Sequence, residues 1–310
     1  MSQIAQGIIL GDCREVLSKL PEASISACIT DPPYNYEFIG HKWNYDEIKR
    51  RLDRIENSTT LVKNIPYGSG LAGGVRNARW YERNRQNILD YQQWCREWAT
   101  ELFRVCKPGS PVVAFNSTRT MAHLQVALED VGFYARDCLV YRRSSGIPKG
   151  LNIEKKLQKL GYDNSQKWQG WHSCLRNEWE AIVVVQKPLK NNYIETLMEY
   201  DIGLFYTQNN DGSFQSNIIE GISHQRTNKY AVHCTVKPLE LMEKLIEIFV
   251  PPSNDHIVLD PFAGSGTTLV AAKKLGRGYL GIEICPEYIE IIKERLASEC
   301  VNQLKLKFQS

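Results

Sequence analysis

The chain has 310 residues, 43% of them hydrophobic and 24% charged, so it can bury a large core as one big domain or two modest ones. Its net charge of +3 permits an anionic partner without demanding one, and its nine cysteines include no C-x-x-C pair, which argues against a zinc ribbon or a redox dithiol. Scattered cysteines suit a reducing compartment, the N-terminus lacks the marks of a signal peptide, and the longest apolar run, residues 181–185, is too short to cross a bilayer; the expectation is a cytoplasmic protein with no membrane segment.

Short apolar runs alternate with helical patterns, which predicts a mostly parallel α/β sheet. Residues 7–10 read as a strand ending at Gly11-Asp12, 14–21 as a short helix, and 24–30 as a strand closing on Asp31. A helix over 91–109 stops at Gly109, followed by a strand at 111–116 and a helix at 118–132. Further strands are expected at 134–143 and 180–188. The C-terminal part is the clearest: an amphipathic helix at 237–250 with Pro238 in its first turn, a strand at 256–260, a helix at 266–276, a strand at 278–284 and a helix at 286–299. Two segments break this rhythm. Residues 40–90 mix an excess of Lys and Arg with Trp43, Tyr45, Tyr67, Trp80 and Tyr81, and residues 189–232 are rich in Asn, Gln, Ser and Tyr. Loops this long in a compact domain are functional or disordered. The basic, aromatic 40–90 stretch is a candidate DNA contact, the alternative being a solvated face.

Two stretches carry chemistry. The first is LDPFAGSGTTL, 259–269, a glycine-rich turn between strand and helix. Its spacing does not fit a dinucleotide fingerprint, because Leu269 stands where a third small residue is expected, and no lysine completes a phosphate loop. Asp260 at its mouth would repel a pyrophosphate and attract an ammonium group. Glu283 ends the next strand, where a carboxylate can hold two ribose hydroxyls. A ligand with a cationic amino-acid end and a ribose, but no phosphate, satisfies both; S-adenosylmethionine is one.

The second is DPPYN, 31–35, at the end of a buried strand. Strand ends of this kind open onto the ligand crevice, so Asp31, Asp260 and Glu283 are expected to face one cleft. An exocyclic amino group on a base is a poor nucleophile, because its lone pair is delocalised into the ring. Two acceptors for its N–H bonds would draw it towards tetrahedral geometry. Asp31 can supply one acceptor and the Pro32 carbonyl the other, since Pro33 has no N–H and the pair cannot continue a ladder. Tyr34 offers a face for a base swung out of its helix. A plain proline turn with a solvated acid is the bland alternative.

Together these motifs resemble the amino-methylating DNA methyltransferases, acting on N6 of adenine or N4 of cytosine with S-adenosylmethionine. DPPYN is similar to their catalytic motif and DPFAGSGTT, 260–268, to their cofactor motif; HCTVKP, 233–238, and GDC, 11–13, are similar to segments that contact the cofactor. The order, catalytic motif first, resembles the permuted β group, and the likeness covers about three-quarters of the chain. The resemblance implies a Rossmann-like S-adenosylmethionine-dependent methyltransferase fold in circularly permuted order. The catalytic and cofactor-binding domain would comprise 1–188 plus 233–310, and 189–232 would be the target-recognition region. It implies Asp31, Pro32, Pro33 and Tyr34 as catalytic residues. On the cofactor side it implies Asp12, Thr235 and Lys237, then Asp260, Phe262, Ala263, Gly264, Gly266 and Thr267, and Glu283. Lys237 is expected at the methionine carboxylate. Cys234 departs from the proline common in that segment, and His233 is either a loop-ordering residue or a surface histidine. Asp at position 31, where Ser is commoner among cytosine-N4 enzymes, points to adenine. The implied partners are duplex DNA and S-adenosylmethionine, with no metal; a cognate restriction endonuclease and a homodimer are allowed. An N4-cytosine enzyme, an RNA methyltransferase and an inactive DNA-binding relative are the other readings.

Overall fold

The computed structural model describes residues 5–34, 78–143, 150–209, 211–222 and 236–307. The strands expected from the sequence form in the expected places: β1 (Gly7–Leu10), β2 (Ala27–Thr30), β3 (Pro111–Asn116), β4 (Tyr134–Arg142), β5 (Trp179–Gln186), β7 (Ile257–Asp260) and β8 (Gly278–Glu283). The short β6 (Ile218–Ile219) is an addition. All eight lie in one sheet of order β1-β8-β7-β2-β3-β5-β4-β6. Its first five members are parallel, β5 runs antiparallel to both β3 and β4, and β6 pairs parallel with β4.

Helices cover both faces, which is why the central strands read as unbroken apolar runs. On one face lie α1 (Cys13–Leu17), α2 (Ala78–Val105) and α3 (Met121–Asp130), whose Leu17, Trp98, Leu102 and Leu128 join Cys28, Val112 and Leu259 of the strands in one core cluster. On the other lie α6 (Leu239–Phe249) and α7 (Thr267–Lys274), where Leu245, Phe249 and Ala271 meet Ile29, Phe115 and Val258. The last helix, α8 (Pro286–Lys307), packs Ile292 and Leu296 against Leu269 and Val270 of α7. Alternate residues of β2 and β3 thus feed opposite layers, as the two-residue period of a strand requires. Two smaller helices, α4 (Ile153–Lys159) and α5 (Tyr193–Tyr200), lie outside these layers.

Two sequence readings change. Helix α2 begins at Ala78, so the end of the 40–90 segment is regular helix rather than loop; residues 40–77 lie outside the described residues. Part of 189–232 is also ordered against the sheet: α5 is N-capped by Asn192, Ile202 and Ile219 are buried, and Phe205 meets Phe249 edge-on at 4.9 Å between ring centroids.

Gly281 in the middle of β8 shows how closely α7 approaches the sheet. A Cβ there would stand 2.5 Å from Leu269 Cδ1 and 2.8 Å from Ile8 Cδ1. Gly281→Val should therefore destabilise the fold by about 1–3 kcal/mol through overpacking, read as a lower urea midpoint at unchanged slope.

Candidate active site

The C-terminal ends of the parallel strands line up along one edge of the sheet. In spatial order they deliver Asp12 after β1, Glu283 on β8, Asp260 on β7, Asp31 after β2 and Asn116 on β3. The antiparallel β5 adds Glu180 from its start, since Asn116 pairs with Ala181. The chain leaves β7 towards β8 and leaves β2 towards β3, so the boundary between β7 and β2 is where the strand order reverses. Open α/β sheets bind ligands at that point. A single hollow there is lined by Asp31, Lys237, Asp260, Phe262 and Gly264. Of the three carboxylates expected to face one cleft, Asp31 and Asp260 line this hollow, and Glu283 ends the neighbouring strand on the same edge.

On the β7 side, Asp260 is only 3% exposed. It accepts hydrogen bonds from the hydroxyls of Thr30 (2.7 Å) and Thr268 (2.6 Å) and from the Phe262 N–H (3.1 Å). Burial pushes its carboxyl up to about 6 against the pull of those donors. The turn that follows passes through positive φ at Gly264 and Gly266, and a Cβ at Gly266 would strike Ile292 at 2.8 Å. Glu283 closes the far side. Its oxygens accept from the N–H groups of Gly264 and Cys285, both at 2.8 Å, and burial pushes it up to about 7, with Asp260 adding repulsion. Each carboxylate keeps acceptor capacity after these bonds, because it offers about four lone-pair positions. Two buried carboxylates without an ion-pair partner among the described residues make a place suited to a cationic ligand. Phe262 packs against Trp94 and Trp98 of α2, at 5.5 and 5.4 Å between ring centroids, which fixes the wall of the hollow. Ala263 and Thr267 are buried in the same turn.

On the β2 side, Asp31 is held from two directions. The Tyr34 hydroxyl donates to Oδ1 at 2.9 Å, and the Lys237 ammonium donates to Oδ2 at 2.6 Å. Lys237 also lies 3.5 Å from Glu180, which itself meets Arg143 at 3.4 Å. The lysine stands over the Phe115 ring at 4.9 Å and the Tyr34 ring at 5.8 Å. Burial pulls the Lys237 amine down, but the Asp31 and Glu180 carboxylates more than offset that, and the net shift is upward. Pro32 is buried, and among the described residues no hydrogen bond reaches its carbonyl. Beneath the cluster, Asn116 donates to the Tyr91 hydroxyl at 2.8 Å while accepting from the Ser117 N–H.

Asp12 sits beside Glu283, whose carbonyl accepts from the Gly11 N–H at 2.9 Å. Its carboxylate N-caps α1 through the Arg14 N–H and also takes the Arg14 guanidinium at 2.7 Å, which holds its pKa below the ordinary value. Lys237, expected on the cofactor side, has its nitrogen on Asp31 in this structure. Thr235, with His233 and Cys234, lies outside the described residues. Sequence reasoning missed Glu180, Thr30 and Thr268. Glu180 is an acid at the start of an apolar strand, and only the antiparallel pairing of β5 with β3 brings that start to the crevice. The two threonines gave no signal, because Thr at a strand end or in a first helical turn is ordinary.

This edge, with an acid-proline-proline-aromatic turn beside a glycine turn bounded by buried carboxylates, is accompanied by clear kinship. The chain belongs to the N6/N4 DNA methylase family, whose profile matches residues 25–294. Among curated relatives, the type II methyltransferase M.HindIII of Haemophilus influenzae is 32% identical over 302 residues, covering 92% of this chain and 93% of that protein. The type II methyltransferase M.HpaI of Haemophilus parainfluenzae is 28% identical over 95% of this chain and 75% of its own. Of solved structures, the DNA modification methylase TTHA0409 of Thermus thermophilus superposes with a TM-score of 0.56 at 22% identity, over 95% and 96% of the two chains. The cytosine-N4-specific PvuII DNA methyltransferase does so with a TM-score of 0.56 at 16% identity, over 94% and 87%. These two likenesses establish the fold. No helix among the described residues is long and apolar enough to cross a membrane.

The raised Glu283 carboxyl gives a signed prediction. The folded chain holds that proton up to about pH 7, whereas the unfolded chain releases it near the ordinary 4.5. The folded state therefore binds more protons across this window, and its stability falls as pH rises through it. Asp260, raised from 3.8 to about 6, contributes in the same direction at lower pH. Urea midpoints measured from pH 5 to pH 8 should decline more shallowly in Glu283→Gln than in the wild type. Parallel declines would mean that Glu283 is ionised throughout.

Proposed function

We propose that the chain transfers a methyl group from S-adenosylmethionine to the exocyclic N6 of adenine in duplex DNA. The observation that carries this reading is the single hollow shared by Asp31 and Asp260, at the ends of adjacent parallel strands. The residues present suit the cofactor: its ammonium and sulfonium charges would compensate the buried carboxylates of Asp260 and Glu283, which burial lifts first and neighbouring carboxylates second. Asp260, the 262–267 turn and Glu283 would hold it, with Asp12 at the neighbouring strand end and Thr235 from the segment leading into α6. Bound there, it supplies a methyl on a sulfonium, activated for in-line attack by an amine with S-adenosylhomocysteine as the leaving product.

The chain's own work is to present the amine. Asp31 and the Pro32 carbonyl accept its two N–H bonds and draw its lone pair out of conjugation; once the methyl is on the nitrogen, one of those protons passes to the Asp31 carboxylate and from it to solvent. Lys237 and Tyr34 each fix one Asp31 oxygen, so the carboxylate is oriented before the base arrives and still has acceptor capacity. Tyr34 supplies the ring against which an extruded base lies, and extrusion is required because the amino group is inaccessible within the stack. Asp rather than Ser at position 31 supports adenine over cytosine. The segments 40–90 and 189–232 are the proposed sites of base readout. A cognate restriction endonuclease and a homodimer fit a type II system of this build.

Asp31→Ala should lower methyl transfer about a hundredfold or more while cofactor affinity stays within about threefold, measured by tritium transfer and by calorimetry. A collapse of cofactor affinity alongside activity would rule out Asp31 as the acceptor for the amine. Nucleoside analysis of DNA from cells expressing the protein should yield N6-methyladenine; N4-methylcytosine in its place would establish the cytosine reading.

A further inference from the structure

Strands β4 and β5 both reach the catalytic edge, with Tyr141 paired to Glu180 and Arg142 to Trp179. The chain between them does not turn back at once. Residues 150–178 form a small lobe closed at its neck: Ile153 N–H donates to the Trp171 carbonyl at 3.1 Å, Ser173 N–H to the Leu151 carbonyl at 3.0 Å, and Leu151 N–H to Ser173 Oγ at 2.8 Å. Asn152 caps α4 by accepting from the Lys155 N–H at 2.9 Å. The neck is tied to the site through Arg143, whose N–H donates to the Glu178 carbonyl and whose guanidinium meets Glu180.

The lobe has almost no interior. Of residues 150–178 only Ser165 is buried, and α4 buries none of its side chains. Its large apolar groups therefore face outward: Trp171 and Tyr162 are each 61% exposed and Leu175 93%. Trp168 and Trp171 meet edge-on at 5.9 Å, forming one aromatic ridge. Lys155, Lys156, Lys159 and Lys167 are exposed on the same lobe, whose helix α4 packs against the turn that carries Trp168, and among the described residues none of the four forms an ion pair; with Arg176 they outnumber the lobe's acids Glu154, Asp163 and Glu178. Lys167 lies over the Trp168 ring at 5.7 Å. An apolar patch of this kind on a fold that has no use for it in packing marks a contact surface.

Charge decides the partner. Lysines together with exposed aromatic rings match a nucleic acid, whose phosphates pair with the lysines and whose sugars, with the faces uncovered where a base is extruded, meet the rings. A second copy of the same lobe would oppose the four lysines with like charge across a twofold axis. The lobe also springs from the edge that carries Asp31. We propose that residues 150–178 are a DNA-contacting lobe of this enzyme, separate from the 40–90 and 189–232 segments. Lys155, Lys156, Lys159 and Lys167 hold phosphates, and Trp168 and Trp171 lie against the nucleotide surface next to the extruded base. This inference rests on the reading of duplex DNA as the substrate.

The test is fluorescence-anisotropy titration of the full chain with a labelled mixed-sequence duplex across a salt series. The variants are K155Q/K156Q/K159Q/K167Q and, separately, W168A/W171A. Removing one lysine–phosphate pair should lower the slope of log affinity against log salt by about 0.9, so the lysine variant should lose about 2 or more from that slope. The tryptophan variant should bind about tenfold more weakly at an unchanged slope. Cofactor affinity by calorimetry should match the wild type in both, which reports an intact fold. Wild-type slope and affinity in both variants would overturn the proposal. So would a change in association state by sedimentation with DNA binding unaltered, which would make the lobe a self-contact. Failure of the wild type itself to bind DNA would instead overturn the methyltransferase reading, and this inference with it.

Discussion

One hydrogen bond joins residues 230 apart in the sequence: the Thr30 hydroxyl donates to Asp260 at 2.7 Å. It can form only because β2 and β7 lie side by side and parallel, with Ala27 opposite Val258 and Cys28 opposite Leu259. That pairing puts the start of the DPPY turn against the start of the glycine turn. The hollow, the convergence of carboxylates and the approach of Lys237 to Asp31 all follow from it. If β2 paired elsewhere, the two motifs would survive in the sequence and have no common site.

The same pairing creates an electrostatic load. Burial lifts Asp260 and Glu283 well above ordinary carboxylates, and repulsion adds to it, from Asp31 on Asp260 and from Asp260 on Glu283. The fold relieves the load unevenly. Asp31 has Lys237, Asp12 has Arg14, and Lys237 is shared with Glu180. Among the described residues, Asp260 receives hydroxyls and one backbone N–H, and Glu283 backbone N–H groups. The cations therefore sit at the two flanks of the edge and leave the middle electronegative. A site arranged in this way favours a cationic ligand in the middle and gives up some of the fold's own stability near neutral pH to do so.

Much of this was legible in the residues. The period of the apolar runs located seven of the strands, and the glycine turn with Asp260 and Glu283 gave the character of its ligand. DPPY placed an acid and a ring at a strand end. The partners that orient them were not legible. Glu180 precedes Lys237 by a long stretch of chain, and nothing local to either residue announces the ion pair. The lobe at 150–178 was hidden for a different reason. Its helix is short, its apolar residues have no inward periodicity because there is no interior to face, and its lysines look like any solvated surface.

The sequence by itself determined which elements form and which chemical groups stand at their ends, because hydrophobic period, capping and turn residues act within a few positions along the chain. The tertiary structure alone decided which ends meet. Strand order, the antiparallel insertion of β5 and the contact of Lys237 with Asp31 depend on how two packed helical layers close over one sheet. That closure is a global balance of burial across the whole chain, and no short stretch of residues encodes it.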